Sequence, residues 1–472
     1  MALLPELVLL AGALAFFLLS LKKAPDTTLT KNIAVGLGLA ALVASLVSSG
    51  QQGMLFFDSY QVDLFSQVFK LLIGFSLAVV LIFGQNLKAI DESIRPEYYM
   101  FLFLSGLGLM MLVSSVELIA VFVSLELSSF SLYLLVPMRD DSTGVRIQME
   151  AGIKYILFGV MATGFMLYGM SYLFGLTGST YLREIVPALG KIATQPAVFF
   201  AVILVLAGFF YKLAVFPMHF WVPDIYQGAS NETTGFIATV PKLGAVALLI
   251  RFMTLPTGSP QILVYLFIVL ALCSMFYGNL SALVQKDVKR MLGFSGISHG
   301  GFILLGLLVM DRSGYGTAIY YIVGYVLMNL ACFLVICNVS EQGENLMIED
   351  LNGLYKRQPV LAFILAVALF ALAGIPPFVG FMGKFMLLTG ALKLGHLTLV
   401  ILAAVNTGIA IYYYLSVVRA AYTADPAEDR QDIQVSGLIK ATGIILVLMI
   451  IIMGGFPARF VAFAGDVVGA IM

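Results

Sequence analysis

Tyr211-Lys212-Leu213-Ala214-Val215-Phe216-Pro217, with Pro223 following, sets a lysine beside a proline-broken stretch in the middle of a long apolar segment. A second stretch repeats the combination: Gly374-Ile375-Pro376-Pro377, then Gly383-Lys384-Phe385. A charge at the centre of a bilayer costs roughly 2.5–3.5 kcal/mol on insertion scales. A broken helix survives in lipid only where its freed backbone groups face protein or a wet cavity. Two such combinations, one in each half of the chain, point to an ion or proton path through a membrane.

The rest of the chain fits that setting. It is 61% hydrophobic and only 11% charged over 472 residues, more apolar surface than a soluble fold can hide. Apolar runs of about 20 residues recur from end to end, the mark of a polytopic helical membrane protein. The first run reads as a retained helix because it lacks a basic leader and a small-residue cleavage site. Cys273, Cys332 and Cys337 lie in apolar helices without a CxxC spacing, and His219, His299 and His396 are scattered. No glycine-rich phosphate loop follows a strand. The chain is therefore expected to carry no redox centre, metal or nucleotide of its own, and no nucleic-acid partner.

The expected fold is all-α, with about fourteen transmembrane helices. Two are discontinuous: one over 197–217 continuing past its break to 237, the other over 358–378 continuing to 393. A helix over 238–255 follows the first. The segment 97–137 is too long for one span, and Ser114-Ser115 is its expected hairpin. With the N-terminus outside, the inside loops hold fourteen lysines and arginines, among them Lys22, Lys23, Lys88, Arg139, Lys289, Arg290, Arg357 and Arg430. The outside holds six: Arg183, Lys191, Arg251, Arg312, Lys393 and Arg459. That bias is the one expected of basic residues staying cytoplasmic. Lys70 and Lys440 lie near helix ends, where they can snorkel to the headgroups.

A weak internal repeat runs through the chain. Ile153-Lys154-Tyr155-Ile156 resembles Ile319-Tyr320-Tyr321-Ile322, the break at Pro217 matches that at Pro376, and Pro241-Lys242-Leu243-Gly244 parallels Val405-Asn406-Thr407-Gly408. The common order suggests a three-helix segment over 1–96, five-helix units over 97–255 and 260–422, and a C-terminal helix over 423–472. Five is odd, so the second unit enters from the opposite face and the repeat is inverted.

Glu126 lies deep in the fifth span, within Ser124-Leu125-Glu126-Leu127-Ser128-Ser129. Buried alone it would stay neutral; a lysine partner, Lys154 or Lys212, is the economical alternative. Lys212 and Lys242 extend a lateral row of titratable groups toward Lys384. A lysine balanced between burial and a nearby carboxylate can gain and lose a proton near neutral pH, as a relay needs. His299 could bridge the two halves, since an imidazole titrates near neutrality. The competing reading of each is structural: a fixed ion pair for the lysines, a neutral core histidine for His299. Tyr320, Tyr321, Tyr325 and Asn406 could hold waters, with aromatic packing the default for the tyrosines. His219 and Trp221 read as packing of the turn after Pro217, and Glu117 as a solvated or structural group.

The run from Tyr211 on, continuing Met218-His219-Phe220-Trp221-Val222-Pro223-Asp224-Ile225-Tyr226-Gln227-Gly228-Ala229, resembles the signature of antiporter-like proton-pumping subunits. Glu126 in its serine-rich helix, Glu150-Ala151-Gly152-Ile153-Lys154-Tyr155, Asp287-Val288-Lys289-Arg290-Met291-Leu292-Gly293-Phe294-Ser295 and the segment 374–384 add to it. The resemblance is nearest to the subunit N branch of bacterial respiratory complex I, the NADH–quinone oxidoreductase, because position 384 is lysine and no long lateral helix follows the last span. One departure stands out: after Ala229 the chain reads Ser230-Asn231-Glu232-Thr233-Thr234, where the family usually has a Pro-Thr-Pro turn.

The resemblance implies one proton channel with Glu126, Lys154, Lys212, Lys242 and Lys384 as its charged axis. It also implies a multi-pass place in the bacterial inner (plasma) membrane beside other membrane subunits. NADH, FMN, iron–sulfur clusters and quinone would then belong to partner subunits, whose redox energy drives the pumping. A subunit of a multi-subunit cation/proton antiporter is the alternative, and a non-pumping structural subunit a third reading.

Overall fold

A computed structural model describes residues 1–22, 26–140, 144, 146–253, 260–425 and 432–472. Lys23 and Arg430 of the loop count lie outside the described residues. The described chain folds into nineteen α-helices and one two-stranded hairpin, Gly53–Leu55 against Tyr60–Val62. Eleven helices are long and apolar enough to cross a membrane, and Leu4–Ser20 and Pro359–Ala373 are apolar but shorter. The protein is thus a multi-pass, all-helical membrane protein.

In lipid the hydrophobic effect does not drive helices together, so close backbone packing must. The hairpin of Arg95–Ser114 and Leu118–Leu135 shows how. A Cβ on Gly108 would stand 2.6 Å from the Ser128 nitrogen and 2.8 Å from the Ser124 carbonyl oxygen, so only glycine allows this approach. Ser105 and Ser128 then share a hydrogen bond of 3.0 Å across the seam. Glu117, expected as solvated or structural, caps the second helix by accepting the Ala120 N–H at 2.7 Å. The hairpin lifts Glu126 into the middle of the bundle.

Two helices form the centre. Every residue of Asn231–Met253 is buried, and Arg312–Val339 is nearly as enclosed. By contrast, Ile147–Thr177, Pro260–Leu283 and Leu397–Thr423 each expose a long apolar face.

Both expected breaks are present. Pro196–Leu213 ends at Ala214 in a left-handed conformation, and the chain restarts as Val222–Gly228. Pro359–Ala373 ends at Gly374, φ +85°, and restarts as Val379–Lys393. The continuation to 237 is corrected: the restarted helix stops at Gly228, and the next begins at Asn231 rather than 238. The cause is local. Ser230 Oγ accepts the Thr233 N–H at 3.2 Å and starts a helix there. Pro241 then sits inside that helix instead of bounding it, which neighbouring helices permit in a membrane bundle.

The reading of Lys70 as a snorkelling residue is also corrected. Its side chain is fully buried, with Nζ 2.7 Å from Glu6 Oε1 on the first helix. Tyr60 Oη donates to the same carboxylate oxygen. Beside it, Arg251 pairs with Asp63 at 3.1 Å and is 6% exposed, so it is no loop residue. Arg357 and Lys289 are likewise buried rather than solvated.

Candidate functional site

The breaks, the enclosed helices and Val288–Leu307 hold four groups of buried polar side chains. The first is Glu126 with Lys212. Lys212 is the penultimate residue of Pro196–Leu213, where the helix gives way to the break. It is 4% exposed, and neither its Nζ nor Glu126 Oε1 has a hydrogen-bond partner among the described residues. The two charges act on one another, and the Thr163 hydroxyl lies beside the carboxylate. Of the two lysines weighed as partner for Glu126, the fold therefore brings up Lys212.

Lys154 goes elsewhere. It sits near the start of Ile147–Thr177, its side chain 37% exposed, with Nζ 2.7 Å from Glu150 and 2.6 Å from Asp224. Asp224 also takes Arg290 at 2.8 Å. This network bridges three helices at the bundle's flank. Trp221 stacks on Tyr155, with ring centroids 5.0 Å apart, and donates to the Tyr211 carbonyl at 3.1 Å. That contact anchors the turn after the break, as turn packing requires. His219 is wholly buried among Phe216, Phe220 and Tyr277.

Lys242 lies on the enclosed helix Asn231–Met253. Its ammonium donates to Tyr325 Oη at 2.9 Å and to the Gly296 carbonyl at 3.3 Å. Tyr226 Oη lies near Tyr325, and the two phenols interact. Next comes His299, whose Nδ1 bonds Tyr321 Oη at 2.7 Å and whose Nε2 bonds Tyr414 Oη at 3.2 Å. Tyr414 Oη in turn bonds Ser295 Oγ. A ring held at both nitrogens by hydroxyls can switch tautomer by passing one proton in and one out.

Lys384 lies at the second break. Its Nζ donates to the carbonyls of Leu372 and Ala373 at 3.0 and 3.3 Å. Those are oxygens that the end of Pro359–Ala373 leaves without helical partners, and a cation is favoured there by the helix dipole. The Phe302 ring lies 5.1 Å beneath the ammonium. Among the described residues Lys242 and Lys384 have neutral oxygens for partners and no carboxylate. Each can thus hold or release a proton without breaking an ion pair. Asn406 is engaged differently, sharing its oxygens with Asn279, which also accepts from Tyr413.

A sequence model of the family described as "NADH:quinone oxidoreductase/Mrp antiporter, TM" matches residues 115–410, the segment that carries Glu126, Lys212, Lys242, His299 and Lys384. NADH-quinone oxidoreductase subunit N 2 of Opitutus terrae is 50% identical over 455 residues, covering 96% of this chain and 95% of its own. The chain belongs to the NADH-quinone oxidoreductase subunit N family. A chain of respiratory complex I from Thermus thermophilus superposes on it with a TM-score of 0.82 at 29% identity, covering 97% of this chain and 98% of that one. A chain of the Mrp complex from a Dietzia species shares the fold, with a TM-score of 0.86 at 18% identity over 100% and 96% of the two chains.

Several polar groups of this subunit N family member escape sequence reasoning. Asp224 and Arg290, the partners that hold Lys154, lie 66 residues apart in the chain. Nothing local pairs them. Tyr226 carried a signal in its place one turn before the enclosed helix, but its hydroxyl's position follows only from how Val288–Leu307 packs. Lys289, counted among the loop cations, and Glu232, noted only within the departing segment, are both buried.

Proposed function

We propose that this chain is a proton-translocating membrane subunit of a NADH-quinone oxidoreductase. Protons pass along Glu126, Lys212, Lys242, His299 and Lys384, with Lys154 on the flank holding the break through Asp224. The observation that carries the reading is the set of buried amines and hydroxyls in both halves, each lysine at a helix break or on an enclosed helix. Moving one charge against 100 mV requires about 2.3 kcal/mol, and quinone reduction in partner subunits supplies it. NADH, FMN, iron–sulfur clusters and quinone reside in those partners, and the other membrane subunits and the lipid bilayer surround this chain.

The finer architecture belongs to the same proposal. Fourteen spans, the N-terminus on the outer side of the bacterial inner membrane, and inverted five-helix units over 97–255 and 260–422 agree with the basic-residue bias and with one break in each unit. A broken half-helix in each unit gives water and side chains room to rearrange.

The test is Lys212→Ala in the assembled complex, in inverted membrane vesicles. Proton pumping and coupled quinone reduction fall, while NADH oxidation by an artificial acceptor continues. Full pumping would remove Lys212 from the path. A sodium-dependent pH change without NADH oxidation would favour the antiporter reading instead. Gly296→Ala probes the surroundings of Lys242 without altering a titratable group. Its Cβ would stand 2.9 Å from both Lys242 Nζ and Tyr325 Oη. The flexible ammonium moves aside, so the complex assembles, and pumping per NADH oxidised drops several-fold. Undiminished pumping would show that the Lys242–Tyr325 bond is dispensable.

A further inference from the structure

The segment that departs from the family pattern, Ser230-Asn231-Glu232-Thr233-Thr234, carries a charge into the bundle. Glu232 is 4% exposed, and its Oε2 has no hydrogen-bond partner among the described residues. Its side chain packs on Gly84, where an added Cβ would come within 2.7 Å of Glu232 Cγ. The cations whose fields reach it are Lys289 and Lys88; the other titratable groups around it are Tyr98, Tyr99 and Cys337. Lys289 is itself wholly buried, and among the described residues its ammonium donates to the Ala229 carbonyl alone, at 2.7 Å.

A carboxylate in the first turn of a helix ordinarily needs no more explanation than the helix dipole. That role is served as well at the surface, where water fills both oxygens. Here Ser230 already caps the helix, and a buried oxygen left open costs about 1–3 kcal/mol or more for a charged group. The group has a use that repays this.

The surroundings supply one. A cleft of about 390 Å³ opens at the basic end of the bundle, lined by Lys88, Arg139, Asp140, Gly228, Glu344 and Asn345. Inward, Lys289, Gly293 and Gly296 share one face of Val288–Leu307, at spacings of four and three. A Cβ on Gly293 would stand 3.3 Å from the Tyr226 ring, and one on Gly296 would stand 2.9 Å from Lys242 Nζ and 3.9 Å from Tyr226 Oη. The glycines leave that face without side chains between Lys289 and Lys242. Among the described residues Tyr226 Oη has no hydrogen-bond partner, and it is fully buried there. From Lys289 to Gly296 the helix rises about 10 Å, and the Tyr226 ring lies beside that interval.

We propose that Glu232 and Lys289 form a proton-loading pair that delivers protons from this cleft to Lys242, an inference that rests on the proton-translocating reading above. The carboxylate takes one proton from cleft water. The resulting acid passes it through water to the neutral Lys289 amine, and the ammonium releases it through Tyr226 and water to the neutral Lys242 amine. One proton and one positive charge move at each step.

The experiment uses the assembled complex in inverted vesicles, with a pH-sensitive dye for pumping and an artificial acceptor for electron input. Glu232→Gln keeps shape and hydrogen-bonding capacity but cannot carry the proton. It lowers pumping about tenfold, the scale of a lost acid–base group partly bypassed by water, and leaves electron input intact; Glu232→Asp restores most of it. Wild-type pumping in Glu232→Gln overturns the proposal. Lys242→Met runs alongside. If it also pumps fully, the translocating reading itself fails; if it alone loses pumping, only the loading pair fails. Should Glu232→Gln not assemble, the Glu232→Gln/Lys289→Gln double variant replaces it. Lost pumping in an assembled double supports the pair. Full pumping, or failure of both variants to assemble, makes the pair structural and overturns the proposal.

Discussion

Lys242→Met assembles normally and pumps at most about a tenth as well as the parent, the loss expected when a proton-transfer group is removed. Methionine keeps the length of the side chain inside a helix with every residue buried, so packing changes little. What is removed is a donor to Tyr325 Oη and to the Gly296 carbonyl. Both are neutral acceptors, and leaving them short of one hydrogen bond costs about 1–3 kcal/mol. No carboxylate is stranded. The measurement is proton uptake per NADH oxidised, with the amount of complex on a native gel as control. Normal pumping would exclude Lys242 from the path; loss of the complex would show that its role is structural.

Glu6→Ala gives the opposite result. It strands a fully buried ammonium, since Lys70 Nζ sits 2.7 Å from Glu6 Oε1 with its side chain shut off from solvent. Breaking one side of a buried ion pair costs about 3–5 kcal/mol, enough to matter in a fold stabilised by about 5–15 kcal/mol. The chain disappears from the membrane, and the complex with it. Glu6→Leu/Lys70→Met removes both charges and restores assembly together with pumping. Assembly of Glu6→Ala at the parent's level, or failure of the double to recover, would refute this account. Two buried lysines thus part company: one is removable because its partners are neutral, the other because its partner can be removed with it.

That difference marks what could be read in the sequence. A lysine in an apolar run beside proline and glycine stands out in the chain alone, so the places of Lys212, Lys242 and Lys384 and both helix breaks were legible. The hairpin at Ser114 was legible too, because two spans cannot share one helix length. Pairings were not. Glu6 and Lys70 lie in separate spans, as do Lys154 and Asp224, and only packing joins them. Lys70 therefore read as a snorkelling residue and Lys154 as a candidate partner for Glu126. The start of the enclosed helix was misplaced because the broken span was carried past Gly228 to 237. Pro241 stands inside that helix because three-dimensional neighbours permit it. Glu232 and Lys289 escaped for a related reason: near the end of a span, nothing local tells a buried charge from a solvated one.

The enclosure of Asn231–Met253 and Arg312–Val339 has one more consequence. The centre of the proposed path, around Lys242, is walled by protein and insulated from the surrounding lipid as a wire is by its sheath. Thinning or fluidising the bilayer strains the outer helices first and leaves the medium around Lys242 unchanged. Passive proton leak through this chain is then governed by its own side chains, whatever membrane it is placed in.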